Sequence, residues 1–355
     1  MPKPGTSIRI TLVLALAALA TAALAATAGA APKRHAATLT GAGSTLIQPA
    51  VQGVWGPGYA AATGTQVNYS GIGSSGGIAA ITGRTVDFGA SDAPLSADQM
   101  TACNGCVQIP WALSATVPTY NVPGVGDTKL RLTGPVLANM FLGHITNWND
   151  AAIKKLNPGL SLPNLKITIA HRSDGSGDTY AFTDYLSKVS SEWRANEGAN
   201  TTINWPAGVG GRGNAGVAAV ISSTPGAIGY VSDAYALGNH LSKARLRNAY
   251  GKFTLPGITG IEDAAQTVKK VPADNRMSIV DPPATKKYAA AWPISTFTYI
   301  IVPTNSKNAT DLRHFIFWAL SPKQQLSIKK LIFAPIPKVV LVAAEKTLLK
   351  IHAAG

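Results

Sequence analysis

The sequence predicts an α/β protein built from strand–turn–helix units, and three observations carry that prediction. Short β-prone runs alternate with stretches of helical spacing along much of the chain, as in a sheet with helices packed on it. Glycine- and serine-rich clusters stand where a strand ends and a helix begins, the place where α/β sheets bind ligands. Residues 31–355 also exceed what one hydrophobic core ordinarily serves, so two domains are expected.

The first element is a secretory signal peptide at 1–30. Lys3 and Arg9 precede an alanine-rich apolar stretch over 10–26, and Ala28-Gly29-Ala30 offers an Ala-x-Ala cleavage point. The stretch falls short of the roughly 20 strongly apolar residues of a spanning helix. Cleavage near Ala30 and a periplasmic location are therefore expected, and no cysteine stands at the cleavage region to take a lipid anchor.

A short basic linker over 32–37 leads to a strand at 38–46 that breaks at Gly41-Ala42-Gly43 and passes through Ser44-Thr45 into a helix ending near 59. A second strand at 66–69 ends in Gly71-Ile72-Gly73-Ser74-Ser75-Gly76-Gly77, with a helix from 78, and a third at 86–90 delivers Ser91-Asp92 beyond its carboxyl end. A new unit opens near Ser114, with an extended 116–120, a turn at Pro123-Gly124 and a helix over 134–142. The strand 167–170 feeds Arg172. A glycine-rich turn over 208–214 precedes a helix at 215–222, and 228–231 is a strand. Periodicity is weak over 243–287; a strand at 297–302 and a helix at 310–320 follow.

Cys103 and Cys106, the only cysteines, form Cys-Asn-Gly-Cys. A short structural disulfide is expected in an oxidising compartment. A thioredoxin-like redox pair is the alternative, without the usual neighbours of that motif; a zinc site would need a second ligand pair.

Net charge is +14, and subtracting the two charges of Lys3 and Arg9 leaves +12. The basic residues are scattered, and aromatics do not interleave with them, so a nucleic-acid surface is not indicated. A positive field would speed encounter with small anions. Gly71 to Gly76 spells G-x-G-x-x-G with Asp92 about 20 residues on, but an exported chain has no supply of NAD, and no cofactor is expected. Neither Gly41 to Leu46 nor Gly208 to Asn214 ends in Gly-Lys-Ser/Thr, so a P-loop is excluded. Ser74, Ser91 and Ser176 lie outside any G-x-S-x-G, and the histidines (His35, His144, His171, His240, His314, His352) show no triad or metal spacing. Only His171 lies near the candidate chemistry, as a strand-end residue.

The stretch Arg172-Ser173-Asp174-Gly175-Ser176-Gly177-Asp178-Thr179 is the strongest functional signal. Small residues ahead of an amphipathic run (Phe182, Tyr185, Leu186, Val189) put unpaired N–H groups at the positive end of a helix, where anions bind. Arg172 adds a permanently charged fork that can hold two oxygens. By itself, Asp-Gly-Ser-Gly is also a common surface turn into a capped helix.

Together these corners resemble the phosphate-binding proteins of bacterial high-affinity phosphate ABC transporters. The resemblance runs through Leu39 to Thr45, Val67 to Gly77, Val86 to Leu95, Asn157-Pro158-Gly159-Leu160, the Arg172 motif, Pro225 to Val231 and Ala291-Trp292-Pro293-Ile294. It implies a type II two-lobed periplasmic-binding-protein fold, each lobe a mixed sheet flanked by helices, with hinge strands between lobes. Residues 31–115 plus 290–355 would form lobe 1 and 116–289 lobe 2.

Carried over position by position, Thr45, Leu46 and Ser74 would supply donors from one lobe, and Arg172, Ser176, Gly177 and Asp178 from the other, with Asp174 bracing Arg172. Asp92 would accept the proton that phosphate keeps near neutral pH and sulfate lacks. Such a site can reject the analogue by roughly 10⁴ to 10⁵, because lone pairs would face lone pairs. Leu46 stands where the family often has Phe. Asp178 replaces a frequent Thr, either as a charge favourable to the helix first turn or as a second proton acceptor. The implied partners are inorganic phosphate and a transmembrane permease, with a monomer before docking; no catalytic residue and no metal are expected. A receptor for another tetrahedral oxyanion, sulfate-like, or a secreted phosphatase are the alternatives.

Overall fold

A computed structural model describes residues 37–354. The expected signal peptide, its cleavage point and His35 lie outside the described residues. From Thr38 the chain builds a nine-stranded sheet. Its strands are β1 (Thr38–Gly43), β2 (Gln66–Gly71), β3 (Phe88–Ser91), β4 (Cys106–Asn121), β5 (Thr168–Arg172), β6 (Val209–Gly211), β7 (Ala227–Ser232), β8 (Ser242–Lys243) and β9 (Ser295–Pro303). Their spatial order is β2-β1-β3-β9-β4-β7-β5-β6, with β8 also paired to β4.

The sheet has two halves because β4 changes partner midway. Cys106 to Ala115 pair antiparallel with β9, whereas Thr116 to Asn121 pair antiparallel with β7. In the first half β1 lies parallel to β2 and β3; in the second, β5 lies parallel to β6 and β7. Each half has its own aromatic cluster. Trp55, Phe88, Trp111 and Phe315 pack together in the first, and Phe141, Phe182, Trp205 and Tyr230 in the second. Rings that meet edge-on or offset add to what burial of their area contributes.

The extended segment expected at 116–120 is thus only the end of a sixteen-residue strand. The rest escaped periodicity because β4 is buried on both faces and has no apolar–polar alternation. Pro110 cannot donate to the ladder; it pairs with Tyr299 beside a register shift between Thr298 and Tyr299. Other boundaries move too. β1 continues through Gly41–Gly43, and the supposed turn at 208–214 contains the edge strand β6. Helix α1 (Ser74–Thr82) starts four residues earlier than its apolar spacing indicated. Its first turn presents small residues so that backbones can touch: a Cβ on Gly77 would lie 2.4 Å from the Gly43 Cα. The unassigned 243–287 region holds short strands at Arg245–Arg247 and Phe253–Thr254 and a helix at Ile258–Ala265.

Among the described residues no helix is long and apolar enough to cross a membrane. Cys103 and Cys106 are joined by a disulfide, where β4 begins. The Arg84 guanidinium donates to both sulfurs and to the Cys103 and Asn104 carbonyls.

Candidate functional site

Parallel pairing of β1 with β3 aligns their carboxyl ends, Gly43 opposite Ala90, so the residues that follow emerge side by side. Ser44 Oγ donates to Asp92 Oδ2 at 2.5 Å and accepts from the Leu46 N–H at 3.0 Å. Ser74, the first residue of α1, accepts the Asp92 N–H on its Oγ at 3.2 Å. Asp92 does not cap a helix. The next helix, Ala97–Ala102, is capped by Ser96 with a reciprocal bond from Gln99.

In the second half Arg172 is the last residue of β5. Its Nε and Nη2 donate to the two carboxylate oxygens of Asp174 at 2.8 and 2.6 Å, a fork-to-fork pair that orients the guanidinium. Its Nη1 donates to Ser176 Oγ at 2.6 Å, and Ser176 caps helix α2 (Gly177–Val189) through the Thr179 N–H. Asp178 lies in the first turn of α2, where the helix dipole favours negative charge. Both its oxygens are engaged: Oδ1 accepts from Thr116 Oγ1 at 2.8 Å, and Oδ2 from Asn214 Nδ2 at 2.7 Å and Arg172 Nη1 at 3.5 Å.

The two halves meet on these residues. The Gly177 N–H donates to Ser74 Oγ at 3.0 Å, and the Ser75 N–H to the Gly175 carbonyl at 3.1 Å. A side chain at position 177 would collide with Asp92, since a Cβ there would sit 2.5 Å from the Asp92 Cβ. Asn214, in helix α3 (Gly213–Ser223), donates its Nδ2 to Thr45 Oγ1 at 2.9 Å. Thr45, Leu46, Ser74, Asp92, Arg172, Ser176, Gly177 and Asp178 are all buried.

Two acids and one arginine are therefore packed out of water, and their charges are unequal. Burial, and then the Asp178 carboxylate, push Asp92 up to about 7 against the opposing pull of its Ser44 and Thr298 neighbours and Arg172. Burial also raises Asp178, opposed by Arg172, Asn214 and Thr116. For Asp174 burial is outweighed by the hydrogen bonds and charge of Arg172, so it stays below the usual carboxylate range. Asp92 Oδ1 is buried with no donor within ordinary hydrogen-bond length, although the Thr298 side chain favours its charged form, and a buried acceptor without a close donor costs about 1–3 kcal/mol. The site can thus offer an oxyanion a fixed cation, helix-end donors and one oxygen ready to receive a proton.

The structure brings the sequence-predicted residues to one place, with two of the expected donors engaged within the protein: the Leu46 N–H is bonded to Ser44 Oγ and the Gly177 N–H to Ser74 Oγ. His171 stacks on Trp205, and burial lowers its pKa. Ser44, Thr116 and Asn214 were not singled out. Only Asn214 left a signal, at the end of the glycine-rich stretch before a helix. Among the described residues no cluster of His, Cys, Asp or Glu could hold a metal.

The chain is similar to known proteins over most of its length. A PBP superfamily domain profile matches residues 26–323. The Phosphate-binding protein PstS of Xylella fastidiosa strain Temecula1 is 42% identical over 88% of this chain and 85% of its own. That of Haemophilus influenzae is 38% identical over 88% and 92%. Among solved structures, a high affinity periplasmic phosphate-binding protein (PfluDING) bound with phosphate superposes with a TM-score of 0.71 at 22% identity, over 87% of this chain and 93% of that one. At that identity the likeness is one of fold.

Proposed function

The chain belongs to the PBP superfamily and, within it, to the phosphate-binding proteins, and on that premise we propose that it is an exported receptor that captures inorganic phosphate and delivers it to the permease of an ABC transporter. The two half-sheets act as lobes, hinged where β4 passes from one to the other, with the anion held between them. Thr45, Leu46 and Ser74 contribute from the first lobe, and Arg172, Ser176, Gly177 and Asp178 from the second, with Asp174 bracing Arg172. It works as a monomer, binding without chemistry.

One observation carries the reading: Asp92 Oδ1 is buried with no donor within ordinary hydrogen-bond length, in the field of the fixed Arg172. A carboxylate there repels any oxyanion that brings no proton. Phosphate brings one at neutral pH and sulfate does not, so the preference follows from lone pairs that would otherwise oppose each other. In this reading Asp178, whose oxygens are already engaged, acts chiefly as a counter-charge to Arg172.

Calorimetry with phosphate and sulfate on the protein lacking residues 1–30 tests the proposal, beside a phosphatase assay. Phosphate should bind and sulfate should not, and no phosphate ester should be hydrolysed. Equal binding of the two anions would favour a general oxyanion receptor, and turnover would favour an enzyme.

A further inference from the structure

We propose that Asn214 is the closure latch of this cleft, a positioning residue that holds no ligand itself but ties Thr45 of the first half to Asp178 of the second. The proposal rests on the reading of the cleft as an anion site. Asn214 is fully buried and spends every hydrogen-bonding group of its side chain. Its Oδ1 accepts the Ser232 N–H at 2.8 Å, and because that donor is a backbone amide, the orientation of the carboxamide is fixed. Its Nδ2 is thereby aimed at Thr45 Oγ1 at 2.9 Å and Asp178 Oδ2 at 2.7 Å together, while its own N–H reaches Thr45 Oγ1 at 3.3 Å.

The other contacts across the cleft do less. Ser75 with Gly175 and Thr201, and Tyr235 with Gln48, join the halves without touching either buried carboxylate. Ser74 with Gly177 joins residues that would themselves hold the anion. Among the described residues Asn214 is the side chain that bonds one half's corner and the other half's acid at once. Opening the cleft must break the bonds to Thr45 and leave Thr45 and half of the Asn214 amide to be rehydrated. Closing makes them again while Asp178 is held in place for Arg172. Asn214 therefore sets how long the closed state lasts, and its effect falls on release more than on capture.

Stopped-flow release of phosphate and small-angle scattering of the phosphate-free protein test this, using Asn214→Ala, Asn214→Asp and Thr45→Val. Asn214→Asp keeps an acceptor for the Ser232 N–H but loses both donated bonds and sets a second carboxylate against Asp178, whereas Thr45→Val removes only the bonds across the cleft and so separates the latch from a purely local structural role. Both Asn214 variants should release phosphate about tenfold faster, the loss of roughly one buried hydrogen bond. Thr45→Val with Asn214→Ala should be clearly less than additive, and the phosphate-free variants should have a larger radius of gyration than wild type. Wild-type release rates in both Asn214 variants, or full additivity with Thr45→Val, would overturn the latch. If wild-type protein binds no phosphate, the proposed function fails separately, and scattering alone decides: an Asn214→Ala radius equal to the wild-type radius overturns the latch.

Discussion

Arg172 and Asp174, two residues apart, face each other fork to fork, with Nε–Oδ1 at 2.8 Å and Nη2–Oδ2 at 2.6 Å. Asp174 also accepts the Gly213 N–H at 2.9 Å, so it fastens the end of β5 to the start of α3. Asp174→Ala should cost about 3 kcal/mol of folding stability, because it strands a buried guanidinium. Urea unfolding checks the loss, and a cost under about 0.5 kcal/mol would show the pair to be no more than a surface-type ion pair.

Asp92 titrates near 7 in the folded chain and near 3.8 when unfolded. Its raised value means that the folded state prefers the protonated acid. The stability it allows is complete below pH 3.8 and is lost as pH rises through about 7. Asp92→Asn should therefore stabilise the phosphate-free protein at pH 8 and do little at pH 3.5, with a gain of no more than about 4 kcal/mol. The same variant should lose the preference for phosphate over sulfate. Unfolding curves at the two pH values check the first outcome and competition calorimetry the second.

Asp178 is the like charge that, after burial, most raises Asp92. In Asp178→Thr the Asp92 carboxyl should titrate at a lower pH, since only burial would then oppose its ionisation. Carbon-13 carboxyl resonances followed with pH report this directly. An unmoved Asp92 midpoint would contradict the coupling.

Gly177 leaves no room for a side chain against Asp92. Gly177→Ala should hold the cleft ajar and weaken phosphate binding by roughly 5- to 150-fold, the equivalent of about 1–3 kcal/mol of overpacking. Folding should suffer little, because alanine is the better helix former in the first turn of α2. Calorimetry beside thermal unfolding separates the two effects.

Which of these features could be read from the chain depended on how far apart their partners lie. Arg172, Asp174, Ser176, Gly177 and Asp178 sit within seven residues, so a strand end, an ion pair and a helix cap are all local events with compositional signatures. Thr45, Ser74 and Asp92 stand at the ends of short strands in corners that the chain shows, but their roles entered only with the family resemblance. Ser44, Thr116 and Asn214 could not be read. A serine and a threonine carry no signal of their own, Asn214 shows only its place at the end of a glycine-rich stretch, and their partners at Asp92, Asp178 and Thr45 lie 48, 62 and 169 positions away.

The order of residues settles that the chain builds strand–turn–helix corners and that a fixed cation and an acid stand among them, because short-range propensity and residue chemistry suffice for both; that the acid is buried was implied only by the family resemblance. Residue order could not settle where β4 starts, since a strand buried on both faces shows no alternation. Nor could it settle which carboxylate keeps a free oxygen. That depends on the register of β4 against β7 and on the meeting of the two half-sheets, which bring Thr116 and Asn214 to Asp178 and leave Asp92 Oδ1 with no donor within ordinary hydrogen-bond length.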